Sequence, residues 1–214
     1  MLELARVSAG YGQAQALFEV SLALQRGEVG VLAGRNGAGK STMLKAIMGL
    51  VRPFAGEVRF DGRRIEALEP FEIARLGLGY VPEERRIFAG LTVDENLAVG
   101  RRPPRSGLPP WTAERLFELF PNLAGMRSRP GSRMSGGEQK MLAIARTLMG
   151  NPTAILLDEP SEGIAPVIVR QMADAVRRLK SAGMSVLLCE QNRRFADQVA
   201  DRAWRIEKGR VIAE

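Results

Sequence analysis

Gly34-Arg35-Asn36-Gly37-Ala38-Gly39-Lys40-Ser41-Thr42 fits the pattern G-x-x-x-x-G-K-[ST]. The chemistry of phosphate binding dictates these residue types. Glycines let consecutive backbone N–H groups turn inward around a triphosphate. The N-terminus of the following helix adds a partial positive charge. Lys40 is long enough to reach the outer phosphates, and the Ser41 hydroxyl can ligate magnesium. Arg35, Asn36, Ala38 and Thr42 complete the cradle. The flanks agree: Val29 to Ala33 reads as a buried strand. Ser41 to Met48 reads as a helix with Leu44, Ile47 and Met48 on one face.

Composition sets the frame for this loop. The chain has 214 residues, 45% hydrophobic and 26% charged, which is ordinary for a globular protein able to bury a full core. No apolar run is long enough to span a bilayer and no signal-peptide pattern is present, which predicts a cytoplasmic protein. Cys189 is the only cysteine, so no intramolecular disulfide can form; within Val186-Leu187-Leu188-Cys189 it reads as a buried structural thiol. The formal net charge of +7 is spread over scattered arginines without aromatic interleaving. A solvated arginine-rich exterior accounts for it better than a nucleic-acid surface, with proximity to an anionic membrane face second. Histidine is absent, which removes the usual general base and proton switch.

Upstream of the loop, Met1 to Val7 reads as a strand and Gly10-Tyr11-Gly12 as a turn. Leu17, Val20, Leu22 and Leu24 can face inward from a second strand over Leu17 to Gln25. Downstream, the pattern predicts a strand over Glu57 to Phe60, a turn at Asp61-Gly62, a helix over Pro70 to Leu76 and a strand over Leu78 to Pro82. Glu83 follows at that strand's end, where ligand groups gather in open α/β sheets. Strand signals then disappear between residues 84 and 150. Helices are expected over Thr92 to Val99 and Ala113 to Phe120, with a Pro-rich loop over Arg101 to Trp111 between them. Met134-Ser135-Gly136-Gly137-Glu138-Gln139 opens another helix, and Ser135 and Glu138 have capping-box spacing. Strand and helix alternate again afterwards: strands at Ala154 to Leu157 and Met184 to Cys189, helices at Pro166 to Ala182 and Arg193 to Ala200. A closing pair of strands, Ala203 to Ile206 and Arg210 to Ala213, flanks Lys208-Gly209.

The fold expected is α/β: a P-loop NTPase core of the RecA-like kind, with an N-terminal antiparallel β subdomain and an inserted helical subdomain. Residues 1–83 and 151–214 form the core and its β subdomain, and residues 84–150 the helical insertion. Asp158-Glu159 at the tip of an apolar strand downstream of the P-loop completes the chemistry. Asp158 can hold the hydrated magnesium that Ser41 touches. Glu159 can polarise an attacking water.

Taken together, these motifs resemble the ATP-binding cassette (ABC) family along essentially the whole chain. The Tyr11 loop, Walker A at Gly34 to Ser41, the signature at Met134 to Gln139 and Walker B at Ile155 to Glu159 all have the family's order and spacing. The resemblance implies that Tyr11 stacks on adenine. It also implies that Ser135, Gly136, Gly137 and Glu138 meet the γ-phosphate bound by a second cassette, homologous or identical. Catalytic roles fall to Glu159, Gln191 and Lys40. ATP and Mg²⁺ are the expected ligands, with Ser41, Glu83 and Asp158 around the metal.

Within the family, the stretches from Val81 to Phe88, Leu91 to Leu97, Gly137 to Arg146 and Glu190 to Asn192 are similar to ATP-binding subunits of branched-chain amino acid importers. Asp158 to Pro166 is also similar, although Glu162-Gly163 resembles relatives that import urea or short amides. Three positions depart from the general pattern. Glu83 stands where a glutamine usually meets the metal, Ala165 replaces the D-loop aspartate, and Gln191 stands at the switch histidine. All three also occur in the importer subgroup. The implied partners are transmembrane permease subunits and, indirectly, a solute-binding protein, with no nucleic acid. The implied location is the cytoplasmic face of the membrane. The competing reading is a non-transport cassette that uses ATP to clamp.

Overall fold

A computed structural model describes residues 1–105 and 109–212. Ten strands and eight α-helices lie among them. The chain opens with two long antiparallel strands, β1 (Leu2–Tyr11) and β2 (Ala14–Leu24). The turn between them is Gly12-Gln13, so Gly10 and Tyr11 belong to β1 rather than to the expected turn. Leu17, Val20, Leu22 and Leu24 are all buried, yet the step from 17 to 20 breaks strict alternation. Glu19, at φ 50°, sits where the register shifts, so one face keeps its apolar residues across a bulge. β4 (Ala55–Phe60) pairs with β1, and β5 (Arg63–Arg64), a strand too short for its apolar pattern to announce, pairs with β4.

The second sheet has six strands in the order β10-β9-β3-β8-β7-β6. They are β3 (Val29–Ala33), β6 (Leu78–Val81), β7 (Ala154–Asp158), β8 (Ser185–Glu190), β9 (Arg202–Glu207) and β10 (Arg210–Ile212). The first five are parallel to their neighbours, and β10 closes the edge antiparallel to β9. Both faces of the central strands are covered, which is why Ala154 to Asp158 is buried at every position. Val31, Ile155, Leu157, Val186 and Leu188 pack into one apolar core. Leu32, Leu156, Leu187 and Cys189, the alternate residues, pack into another on the opposite face with β1, β2 and β4. Cys189 is a buried free thiol, and burial pushes its pKa up.

Helix α1 (Lys40–Ile47) follows β3 directly, and α2 (Pro70–Leu76) precedes β6. Between residues 84 and 150 the described residues hold no strand, only one isolated bridge, Thr92 to Pro130. Here lie α3 (Val93–Gly100), α4 (Ala113–Leu119), the short α5 (Pro121–Ala124), a 3-10 turn at Gly131–Arg133 and α6 (Gly136–Leu148). Helix α7 (Pro166–Ser181) buries Met172, Val176 and Leu179, and α8 (Arg193–Val199) follows β8. Part of the Pro-rich loop, residues 106–108, lies outside the described residues, as does Ala213, expected at the end of the last strand.

This is the P-loop NTPase arrangement: a parallel sheet with the phosphate loop between β3 and α1, and an antiparallel β layer built from strands on both sides of that loop in sequence.

Candidate functional site

β3 delivers the chain into Gly34 at the C-terminal edge of the parallel sheet, where such folds bind ligands. The loop can turn back into α1 because Gly37 and Gly39 take φ of 78° and 109°, conformations that residues with a Cβ rarely adopt. Gly39 is the N-cap of α1 and has no side chain to satisfy the helix's first N–H groups, so they stay open to an anion. Ala38 is tied down: its N–H donates to Arg35 O at 3.1 Å and its carbonyl accepts from Gly209 N–H at 2.9 Å.

Lys40 is 4% exposed. Its Nζ donates to the carbonyls of Gly34 at 2.7 Å and Arg35 at 3.0 Å. It also lies 2.8 Å from Glu159 Oε1. That oxygen is buried and has no well-aligned donor, so the contact is an ion pair rather than a directed hydrogen bond. The other carboxylate oxygen, Oε2, accepts the Gln191 N–H at 3.1 Å. Burial raises the Glu159 pKa; Lys40 opposes that rise and the Glu190 carboxylate adds to it.

Ser41 Oγ donates to Asp158 Oδ1 at 2.9 Å, linking α1 to the tip of β7. Tyr80 from β6 reaches the other oxygen, Oδ2, at 3.4 Å. Burial pushes Asp158 above the usual aspartate range; the Ser41 hydroxyl resists, while Glu159 and Glu83 push the same way. A buried carboxylate beside two others is a place where added positive charge is favourable. Glu83 is exposed and lines the same cleft as Lys40, Ser41, Thr42 and Glu159. Among the described residues no three His, Cys, Asp or Glu side chains converge to cage a metal. One hydroxyl and one carboxylate, with Glu83 nearby, fit magnesium, which keeps waters and takes phosphate oxygens in place of a protein cage.

The P-loop separates two clefts. The first is lined by Asn36, Gly37, Gly39 and Lys40 to Thr42, and its rim is Gln15, Ala16, Phe18, Lys208 and Gly209. Phe18 is held on this rim by the Arg210 guanidinium, 5.2 Å from its ring centre. Tyr11 is not among the lining residues; it stands about half exposed at the end of β1, paired with Ala14. The second cleft lies on the other flank, with Gly34 to Ala38, Glu190 and Gln191. Gln191 lines this second cleft and Glu83 the first.

The signature residues sit apart from both clefts. Ser135 caps α6, its Oγ accepting Glu138 N–H, while the Glu138 carboxylate accepts Ser135 N–H at 2.7 Å. The structure commits Glu138 to this reciprocal cap. Helix geometry leaves the N–H groups of Gly136 and Gly137 without intrahelical partners. Neither they nor Ser135 lines the cleft at the chain's own P-loop.

Sequence reading missed three side chains that shape the site. Tyr80 holds Asp158. Glu190, 2% exposed, accepts N–H groups from Ser161, Gln191 and Asn192 and so ties two loops together. Lys140, also 2% exposed, donates from α6 to the Glu159 carbonyl. A signal existed for Lys140: it lies four residues before buried Ile144, on the apolar face of its helix.

Residues 17–162 match the ABC transporter family. The high-affinity branched-chain amino acid transport ATP-binding protein BraG of Pseudomonas aeruginosa is 42% identical over 212 residues, 99% of this chain and 91% of that protein. The lipopolysaccharide export system ATP-binding protein LptB of Haemophilus influenzae is 36% identical over 205 residues, 95% of this chain and 85% of that one. Among solved structures, a dimeric ATP-binding cassette in a post-hydrolysis state with ADP and Pi superposes with TM-score 0.83 at 27% identity, over 99% of this chain and 96% of the other. With its P-loop, its Walker B acids and its capped signature helix in one α/β frame, the chain belongs to the ABC transporter family, as an ATP-hydrolysing ATP-binding cassette.

Proposed function

We propose that the chain is the cassette that powers an importer of branched-chain amino acids. The observation that carries the site reading is the meeting of two pairs at the sheet edge, Lys40 with Glu159 at 2.8 Å and Ser41 with Asp158 at 2.9 Å. The similarity to BraG supports the solute class.

ATP enters the first cleft with its triphosphate along Gly37 to Thr42. Lys40 gives up Glu159 and the two carbonyls and turns to the outer phosphates. Tyr11, at the end of the hairpin whose Gln15, Ala16 and Phe18 form the rim, covers the adenine. Ser41 and Asp158 would hold magnesium with Glu83 beside them, and the ion would supply positive charge to the phosphates. Glu159, freed from Lys40, orients the attacking water and accepts its proton. Its raised pKa suits that task, because a base matched to the working pH transfers protons well. Gln191 hydrogen-bonds the γ-phosphate but carries no titrating proton.

Ser135 to Gly137 do not line the chain's own cleft; in this reading a second cassette supplies these groups to the ATP and receives them in turn. Closure of the pair assembles the site, and phosphate release reopens it. Residues 84–150, as a helical subdomain, pass that motion to permease subunits, which place the cassette on the cytoplasmic face of the membrane. Among the described residues no helix is long and apolar enough to cross a membrane; in this reading the permease subunits form the pore. A solute-binding protein delivers the amino acid to the permease.

The similarity to LptB favours a second reading, an export cassette with the same ATP chemistry. Vesicles carrying the cassette with its co-purifying permease decide between them. ATP-driven uptake of leucine, isoleucine or valine supports the proposal. A permease that couples ATP turnover to outward movement of another solute overturns it.

A further inference from the structure

Lys140 lies in the first turns of α6, among residues that face the core. It is 2% exposed. Among the described residues no carboxylate stands within ion-pairing distance of its ammonium. The carboxylates of Glu190, Glu162 and Glu83 act on it from further away, and Arg85 opposes them. Burying an ammonium without a close counter-ion is costly, and a similar-sized apolar residue would pack here at less expense. What the ammonium does contact is the main-chain carbonyl of Glu159.

That carbonyl belongs to an unusual peptide. Glu159 has φ 47°, in the left-handed region that a glutamate seldom adopts and that surrounding contacts must enforce. Its N–H donates to Cys189 O at 3.0 Å. Its carboxylate is held by Lys40 and by the Gln191 N–H. Lys40 is the contact that ATP removes. Once Lys40 has turned to phosphate, Lys140 is the remaining side-chain cation fixed to Glu159, and it acts through the backbone.

We propose that Lys140 is a positioning residue for hydrolysis: its ammonium holds the Glu159 peptide in place while the carboxylate is released from Lys40, and it ties the signature helix to the catalytic carboxylate. The proposal rests on Glu159 being the group that activates water. Because Ser135 to Gly137 open the same helix, a partner's γ-phosphate pulling on that N-terminus acts on Glu159 through one hydrogen bond.

The test compares Lys140→Met, Lys140→Gln and Glu159→Gln in the full chain, reading kcat, ATP affinity and the thermal midpoint. Lys140→Met keeps the volume and loses the donor. It is expected to lower kcat roughly 10- to 100-fold, as small misplacements of a reacting group do, with ATP affinity intact and the midpoint not lowered. Lys140→Gln retains an N–H donor and is expected to recover most of kcat. Wild-type kcat in Lys140→Met overturns the proposal. So does a loss of kcat matched by a loss of ATP affinity, which marks a merely structural role. If Lys140→Met does not fold, Lys140→Gln decides alone: near-wild-type kcat supports the proposal and a kcat collapse overturns it. Wild-type hydrolysis by Glu159→Gln would instead remove the role of Glu159 itself, a failure seen without any Lys140 variant.

Discussion

Lys40 Nζ and Glu159 Oε1 are 2.8 Å apart, and each side chain is 4% exposed. In this arrangement the cation and the carboxylate neutralise each other. Lys40→Ala therefore does two things. It abolishes ATP binding, read as loss of nucleotide retention. It also leaves Glu159 buried and unpaired, lowering stability by about 3 kcal/mol, the low end for a broken buried pair, because an already raised carboxyl can take up a proton instead. Lys40→Met with Glu159→Gln restores most of that stability without restoring binding. Unchanged ATP affinity in Lys40→Ala would contradict the P-loop assignment.

Glu159→Gln keeps shape and hydrogen bonding but cannot take a proton. ATP binding is expected to persist while kcat falls roughly 10²- to 10⁴-fold, the usual worth of a positioned base. Equal steady-state ATPase rates in the two proteins would sink this role.

The pH profile has a definite sign. Burial raises the Glu159 pKa, with Glu190 adding to it against Lys40. A base works only when deprotonated, so kcat is lost as pH falls through that raised value. The chain contains no histidine, so an acid limb in the range of roughly pH 5 to 8 is not imidazole. If Gln191→Ala abolishes this acid limb and Glu159→Asp leaves it unmoved, the assignment to Glu159 fails.

Asp201 tests the fold far from the chemistry. Its Oδ2 accepts the Val29 N–H at 2.9 Å, and its Oδ1 pairs with Lys180. Partial burial alone would raise its pKa, but the Lys180 ammonium and the Val29 N–H outweigh burial and hold it low. The unfolded chain then binds the extra proton, so this stabilisation is complete above the unfolded value of about 3.9 and fades as pH falls through the native one. Asp201→Asn is expected to cost about 1 kcal/mol at neutral pH, discounted for partial exposure. Urea denaturation should show the gap from wild type closing below about pH 4. A gap that widens on acidification would contradict the assignment.

Much of the site was legible because its parts are local. Gly34 to Thr42 lies between an apolar run and a helical face, Asp158-Glu159 ends an apolar strand, and Ser135 and Glu138 sit at capping distance. What could not be read is what long-range pairing creates. Nothing in the residues of β3 says that β8 and β9 flank it. Tyr80 meets Asp158 only because β6 pairs with β7. Lys140 and Glu190 look like surface charges until both faces of the sheet are covered. The left-handed backbone at Arg6 and Glu19 lets β1 and β2 slip register, which alternation alone cannot anticipate.

The central claim is that this chain carries two halves of two different sites, a P-loop cleft and a signature turn that does not line it. Specific ATPase activity measured across a protein-concentration series, with the fraction of paired cassettes determined in parallel, tests it most directly. The account predicts that the monomer binds ATP without turning it over and that activity rises with the paired fraction to a plateau. Turnover independent of concentration, in a preparation monomeric throughout, would contradict it.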